Sequence, residues 1–253
     1  MRIFAIIPAR YCSTRLPGKA LADIAGKPML QWVWEAAKLT SEIERVIIAT
    51  DDERIRTSAE SFGAEVIMTS PNCKSGSDRV FEAVESIPNE DRPDFVLNIQ
   101  GDEPLLTPSI LGDLISALRE CSAPMATIIT PADEHDLQTP STVKAVVDSN
   151  SNALYFSRAG IPFVAGDYRP VFFKHIGIYA YRPDFLALFA KLPPSPLEFA
   201  EKLEQLRALE NGFKIHCIEI PAAKSLIGID TPEDLAEIRK LLANPGAVHD
   251  PSF

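Results

Sequence analysis

The chain has 253 residues, 46% apolar and 24% charged. That is enough to bury the core of one large α/β domain, or of one domain with a smaller lobe, and it excludes a disordered protein. The net charge of −10 argues against a general binder of nucleic acid or anionic membranes, so any polyanion must meet a local basic cluster.

Short apolar runs alternate with helical patterns along the first half. Ile3–Pro8 is too short for the apolar core of a signal segment, and Ile3–Ile7 reads as a buried first strand. Arg45–Ala49, Glu65–Met68, Asp94–Ile99 and Ala126–Thr130 read as further strands. Between them, Met29–Leu39, Asp52–Phe62, Gly76–Ser86 and Pro108–Glu120 read as helices. In the first helix Leu30, Val33, Trp34 and Ala37 recur at i, i+3, i+4 and i+7 and form one apolar face. This alternation predicts βαβ units: an α/β fold with a mostly parallel central sheet and helices on both faces.

The second half predicts a smaller strand-rich lobe. Val143–Asp148, Ala153–Ser157, His175–Tyr181 and Lys214–Ile220 read as strands, and Ser149-Asn150-Ser151-Asn152 has the composition of a hairpin turn. Leu197–Leu209 reads as one charged amphipathic helix closed by Asn211-Gly212. Thr231-Pro232-Glu233-Asp234 opens the last helix, with Thr231 as N-cap and Pro232 at the first helical position. Residues 244–253 read as a loose tail. No stretch approaches the roughly 18 apolar residues of a membrane span. Cys12, Cys73, Cys121 and Cys217 lie far apart, as do the histidines, so free thiols in a cytoplasmic protein are expected and a transition-metal site is not.

Several segments carry chemistry. Pro8–Lys19 follows the first strand directly and brings Arg10, Arg15 and Lys19 close together in an acidic protein. Ligands of open parallel sheets bind beyond the carboxyl ends of the strands. A loop there can offer guanidinium forks, hydroxyls and backbone amides to a triphosphate, although by itself it also fits a solvated basic loop. It is not a Walker A loop, because Ala20 follows Gly18-Lys19. Gln100-Gly101-Asp102 places a carboxylate at a strand end, where it suits a hard cation with phosphate co-ligands or simply a turn. Asp230 is not needed for capping beside Thr231. It fits either a second metal ligand or an acid favoured by the helix dipole. Ser75-Gly76-Ser77-Asp78-Arg79 permits close backbone approach at Gly76, offers Ser77 as a helix cap and sets Arg79 toward a phosphate or base edge. His175, Gly177 and Tyr179 alternate on a strand and so share a face. Glu204 and Gln205 fall on the predicted helix, about 100° apart. With Arg158 they suit a hydroxyl-rich acid, or else a satisfied core histidine beside a solvated helix face.

Taken in order, PARYCSTRLPGKALADIAGKPM, VIIATDDERI, SGSDR, NIQGDEP, ALYFSRAGIPF, KHIGIYAYR, SPLEFAEKLEQLRALENG and GIDTPEDL resemble the 3-deoxy-manno-octulosonate cytidylyltransferases, the CMP-Kdo synthetases of Gram-negative bacteria. The resemblance runs from residue 1 to about residue 242. It implies a Rossmann-like nucleotide-diphosphosugar transferase fold, a homodimer, the substrates CTP and Kdo, and Mg²⁺, with CMP-Kdo supplied to lipopolysaccharide synthesis. It implies that Arg10, Ser13, Arg15 and Lys19 hold the triphosphate. Ser75, Gly76, Arg79 and Gln100 surround the nucleotide, with Gln100 also reaching the sugar. Asp102 and Asp230 hold the metal and, with Lys19, carry catalysis. Arg158, His175, Tyr179, Glu204 and Gln205 line the sugar-acid pocket. The chain then reads as one nucleotidyltransferase domain, with residues 1–131 mainly for the nucleotide, 132–220 for sugar and dimerisation, and 221–243 for a metal ligand and closing helix. The segment between Pro162 and Lys174 is short for the family, which leaves 8-amino-Kdo open as the sugar; another acid sugar such as a sialic acid is a further alternative. A non-catalytic nucleotide-binding module is the remaining alternative.

Overall fold

The computed structural model describes residues 1–12, 16–167 and 170–243. In chain order the elements begin with β1 (Ile3–Ala9), β2 (Asp23–Ile24), β3 (Lys27–Pro28), α1 (Met29–Leu39), β4 (Arg45–Thr50), α2 (Glu53–Ser61), β5 (Glu65–Met68), α3 (Gly76–Glu85) and β6 (Phe95–Asn98). Then come α4 (Pro108–Leu118), β7 (Met125–Pro131), α5 (Glu134–Gln138), β8 (Lys144–Val147), β9 (Ala153–Ser157) and β10 (Phe173–Tyr181). Last are α6 (Pro183–Phe189), α7 (Pro196–Glu201), α8 (Leu206–Glu210), β11 (Ile215–Glu219) and α9 (Pro232–Ala243). The chain forms two compact units, one of Met1–Leu111 with the chain from Ser225 onward, the other of Gly112–Lys224.

In the first unit the strands run β6-β1-β4-β5, all parallel. Ile3, Phe4, Ala5, Ile6 and Ile7 of β1 are all buried, so this strand is covered on both faces, as a parallel sheet with helical crossovers requires. α1 packs through Leu30, Val33 and Ala37, close to the apolar stripe the periodicity predicts. Trp34 of that stripe stays half-buried, its ring 5.3 Å from that of Phe62. α9 closes the unit: Leu235 and Ile238 join Ile24, Met29 and Ile229 in one apolar cluster. The small hairpin β2–β3, missing from the sequence reading, turns through Ala25 and Gly26, both at positive φ (50° and 84°).

In the second unit β7 lies between β11 (parallel) and β10 (antiparallel), and β8 pairs antiparallel with both β10 and β9. The hairpin expected at residues 149–152 is present. The Asp148 carboxylate accepts from the backbone N–H groups of Asn150 and Asn152, both at 2.8 Å. One expectation is corrected here. The single helix Leu197–Leu209 is two helices, α7 and α8, because Lys202 takes the left-handed conformation (φ 56°, ψ 43°). Leu203 and Gln205 in the intervening turn go into the interior. Amphipathic periodicity continues through such a break and does not report it. On β10 the register with β7 shifts between Ile176 and Tyr179. The bulge spans two residues and leaves the shared face intact: burial still alternates through Gly177, and the His175 and Tyr179 rings lie 5.4 Å apart. The short helices α5 and α6 were not read from the sequence.

The break at Lys202 yields a test. Lys202→Gly, which relieves the left-handed strain, is expected to raise stability by up to ~1 kcal/mol, and Lys202→Val to lower it by at least as much. The urea midpoint at unchanged slope checks both.

Candidate active site

The loop after β1 is built rather than merely solvated. Gly18 has φ +71°, and a Cβ there would lie 3.2 Å from the Tyr11 ring. Only glycine suits that close approach. The Gly18 N–H donates to the Tyr11 carbonyl at 2.9 Å. The Arg54 guanidinium stacks on the other resource of this loop, the Tyr11 ring, 3.3 Å from its centroid. Arg54 is itself held by Asp52 at 2.6 and 2.9 Å. Asp52 also caps α2 by accepting from the Arg54 N–H. Arg54 and Asp52 are positioning residues that the sequence reading missed; the only signal was their place at the end of β4. Ser13 and Arg15 lie outside the described residues.

Gly18 starts a short 3₁₀ turn that presents Lys19. Its ammonium donates to Asp102 Oδ2 at 2.6 Å, to the Ile229 carbonyl at 2.7 Å and to Asp230 Oδ1 at 3.1 Å. Burial opposes this charge, and the two carboxylates outweigh it, leaving the Lys19 pKa above its ordinary value. Each partner is placed by local chemistry. Gly101 lets the chain after β6 pass close to Leu30 and Ile7, where a Cβ would meet their side chains at 3.3 and 3.5 Å. The Ile229 N–H donates to the Asp102 carbonyl at 2.9 Å and ties the two acidic segments together. Thr231 caps α9 reciprocally with Asp234, so the Asp230 carboxylate is left for the ammonium.

A cleft of about 280 Å³ opens here, at the carboxyl ends of β1 and β6. Arg10, Lys19, Asp102 and Asp230 line one part of it, and Ser75, Gly76, Arg79 and Gln100 another. Cys73 and Lys74, which the sequence reading did not single out, line it too. The cap of α3 is Ser75, not Ser77: Ser75 accepts from the Asp78 N–H at 3.1 Å, while Asp78 accepts from the Ser75 N–H at 3.2 Å. Ser77 is buried within the helix and accepts from the Asn98 amide. Gln100 donates to Asn98 at 3.2 Å, which orients its amide. Arg79 is 4% exposed and pairs with Asp51 at 3.1 Å and with the Thr69 hydroxyl. Much of its charge is therefore engaged in bracing α3.

The two carboxylates suit a hard cation, since oxygens from separate turns already converge on one cationic centre at Lys19. Among the described residues no group of three or more His, Cys, Asp or Glu is arranged to hold a metal. A cation on this pair would thus depend on substrate oxygens to complete its shell, as Mg²⁺ commonly does.

The second unit carries the other cluster. The His175 ring packs against Phe156 and Tyr179, with centroids 5.0 and 5.4 Å away. His175 Nε2 lies 2.8 Å from Thr127 Oγ1, which also lies 2.9 Å from the Ile178 carbonyl and 3.3 Å from the Ile176 carbonyl. With the hydroxyl hydrogen on either carbonyl, Nε2 is the donor and Nδ1 the acceptor. Burial pushes the His175 pKa down to about 3, so the ring is neutral near pH 7. Burial, with Tyr181 and Glu204 nearby, pushes the Tyr179 hydroxyl well up, so it stays protonated. Glu204 and Gln205 lie in the turn between α7 and α8 rather than on a helix. Glu204 faces Arg207 at 3.6 Å. Gln205 is 3% exposed, and its Nε2 has no hydrogen-bond partner among the described residues. Arg158 donates through Nε to the Glu201 carbonyl at 2.9 Å and through Nη1 to the Pro140 carbonyl at 3.1 Å. The Glu201 carboxylate in turn accepts from the Arg158 N–H and the Ser157 hydroxyl. Glu201 escaped the sequence reading, because only the break after α7 brings it to β9.

The cytidylyltransferase family model matches residues 4–215. The chain is 48% identical to the 3-deoxy-manno-octulosonate cytidylyltransferase of Vibrio cholerae serotype O1, over 96% of this chain and 98% of that protein. It is 45% identical to the protein of that name from Geobacter metallireducens, again over 96% and 98%. Among solved structures, CMP:2-keto-3-deoxy-manno-octonic acid synthetase complexed with CTP superposes with a TM-score of 0.90 at 40% identity, covering 97% of this chain and 100% of that one. A 4-diphosphocytidyl-2C-methyl-D-erythritol synthase from Anaerococcus prevotii shares the fold at a TM-score of 0.62 and 17% identity, over 96% of this chain and 98% of that one.

The neutral His175 has a thermodynamic signature. Its folded pKa is depressed to about 3 from 6.5, so below pH 6.5 the unfolded state binds the extra proton. Its stabilising contribution is complete above that pH and declines as pH falls toward 3. Between pH 7.5 and pH 5 the wild type is expected to lose about 2 kcal/mol through this group. His175→Gln should lack that component, and the difference between the two urea-unfolding profiles measures it.

Proposed function

The chain belongs to the cytidylyltransferase family, and on that premise we propose that it transfers CMP from CTP to the anomeric hydroxyl of Kdo, as a Mg²⁺-dependent homodimer. The enzyme is a nucleotidyltransferase, and its products are CMP-Kdo and pyrophosphate. One observation carries the reading. The cleft at the ends of β1 and β6 gathers Arg10, Lys19, Ser75, Gly76 and Gln100 around the carboxylates of Asp102 and Asp230.

The anomeric oxygen bonds to the α-phosphorus of CTP. The bond from that phosphorus to the bridging oxygen of the β-phosphate breaks, pyrophosphate leaves, and the hydroxyl proton passes to water. No covalent enzyme nucleophile is required, so catalysis comes from positioning and charge neutralisation. Arg10 and Lys19, with Ser13 and Arg15 of the same loop, hold the triphosphate. Lys19 and Arg15 offset the charge that builds on the departing pyrophosphate. Ser75 and Gly76 admit the nucleotide close to the backbone at the start of α3. Gln100 donates to nucleotide and sugar, and Arg79, fixed by Asp51, keeps α3 in place.

Asp102 and Asp230 would hold Mg²⁺, which when bound polarises the α-phosphate and lowers the pKa of the attacking hydroxyl. On the sugar side, His175 accepts a hydroxyl at Nδ1 and Tyr179 donates one. Gln205 Nε2 supplies a buried donor, and Glu204 accepts. Arg158 meets the sugar carboxylate with the part of its guanidinium not bonded to Glu201 and Pro140. The homodimer reading is supported by apolar surface in the second unit: Leu154 on β9 and Phe199 on α7 are 61% and 59% exposed. Among the described residues, no helix is long and apolar enough to cross a membrane. We place the reaction in the cytoplasm, upstream of lipopolysaccharide assembly.

Pyrophosphate release with CTP and Mg²⁺ tests the function directly. Kdo is expected to support release, with 8-amino-Kdo and a sialic acid poorer substrates; release with none of the three would overturn the reading. Asp102→Asn is expected to retain CTP binding while turnover falls by roughly 10²–10³. A wild-type rate in that variant would remove Asp102 from the metal site.

A further inference from the structure

Lys19 has a second consequence beyond its role toward the triphosphate. An ammonium has three hydrogens. Here they go to Asp102 Oδ2 at 2.6 Å, the Ile229 carbonyl at 2.7 Å and Asp230 Oδ1 at 3.1 Å. All three donors are engaged within the protein, and two of the acceptors belong to the carboxylates assigned to the metal. A divalent cation held between the same two carboxylates would meet the ammonium charge at close range, where the two cations repel.

The ammonium is nevertheless able to move. Its backbone is anchored, with Lys19 N–H donating to the Leu16 carbonyl at 3.1 Å and Leu21 N–H to the Gly18 carbonyl at 2.9 Å. Its side chain is a flexible four-carbon stem and retains 17% exposure on the wall of the cleft. A triphosphate entering between Arg10 and Ser75 would offer that ammonium other acceptors.

We propose that Lys19 is a tethered cation that occupies the metal site of the nucleotide-free enzyme, so that transfer of its ammonium to the triphosphate opens Asp102 and Asp230 to the metal. The inference rests on the assignment of the metal to those two carboxylates. It makes nucleotide and metal bind cooperatively, beyond the phosphate ligation they share, and by linkage the effect is reciprocal. Nucleotide-free enzyme keeps its acidic pair neutralised and binds metal weakly. Removing the ammonium leaves two adjacent carboxylates with no cation of their own.

The test is Mn²⁺ binding to nucleotide-free protein, read by the loss of the free-ion electron paramagnetic resonance signal. Lys19→Met is expected to bind Mn²⁺ at least tenfold more tightly than wild type. Lys19→Gln, which keeps a donor for the Ile229 carbonyl, should shift in the same direction and covers the case in which the methionine variant does not fold. Lys74→Met removes another cation from the cleft wall and should leave Mn²⁺ affinity at the wild-type value. Unchanged or weaker binding in both Lys19 variants would overturn the proposal. So would an equal gain in Lys74→Met, which would reveal a general field rather than occupancy. Lys19→Met combined with Asp102→Asn separates the premise: the gain should vanish. If it persists, the metal does not lie on Asp102, and that assignment fails rather than the affinity measurement.

Discussion

The ion pairs of Lys19 with Asp102 and Asp230 join three segments that are remote in sequence: the loop after β1, the turn after β6 and the N-terminus of α9. Two carboxylates so placed repel each other, and the arrangement is tolerable only with a cation between them. The apolar cluster of Ile24, Met29, Ile229, Leu235 and Ile238 holds α9 against the β2–β3 hairpin and the start of α1. Its packing energy positions the acidic pair, and the ammonium neutralises it. The Ile229–Asp102 backbone bond adds a short rigid link between the two acidic segments. The site is thus a balance between a core that brings charges together and a lysine that makes their proximity affordable to the fold.

In the second unit the polar groups follow the opposite logic. His175 has no ionic partner, and burial alone keeps it neutral. Its Nε2 faces a threonine hydroxyl that also has two backbone carbonyls within reach. The ring stays neutral through pH changes around neutrality. Tyr179 is held protonated by the same burial. A buried neutral polar cluster and a charged cleft are different electrostatic environments, and each unit supplies one of them.

Much of this was legible in the residues. The spans of α1, β5 and β9 coincide with those read from periodicity, because each is a short run with a clear apolar pattern and a local stop signal. The cleft residues Arg10, Lys19, Ser75, Gly76, Arg79, Gln100, Asp102 and Asp230 could be named in advance and do line one cavity. The misreadings share a cause. Lys202 breaks a helix whose hydrophobic period continues across it, and Ser75 outcompetes Ser77 for the cap of α3. In each case two local arrangements have similar intrinsic preference, and packing against distant elements selects one.

The sequence by itself determined the parallel α/β character of the first unit, the hairpin at residues 149–152, the cap of α9 and the identity of the charged residues, because these depend on periodicity and on side chains acting on their own neighbouring backbone. Tertiary structure alone decided what those charges do. It pairs Arg79 with Asp51, stacks Arg54 on Tyr11, turns Glu201 to the end of β9 and sets the Lys19 ammonium between two carboxylates. Such pairings depend on distances across the fold, and Coulomb and hydrogen-bond energies fall off too steeply with distance for spacing along the chain to reveal them.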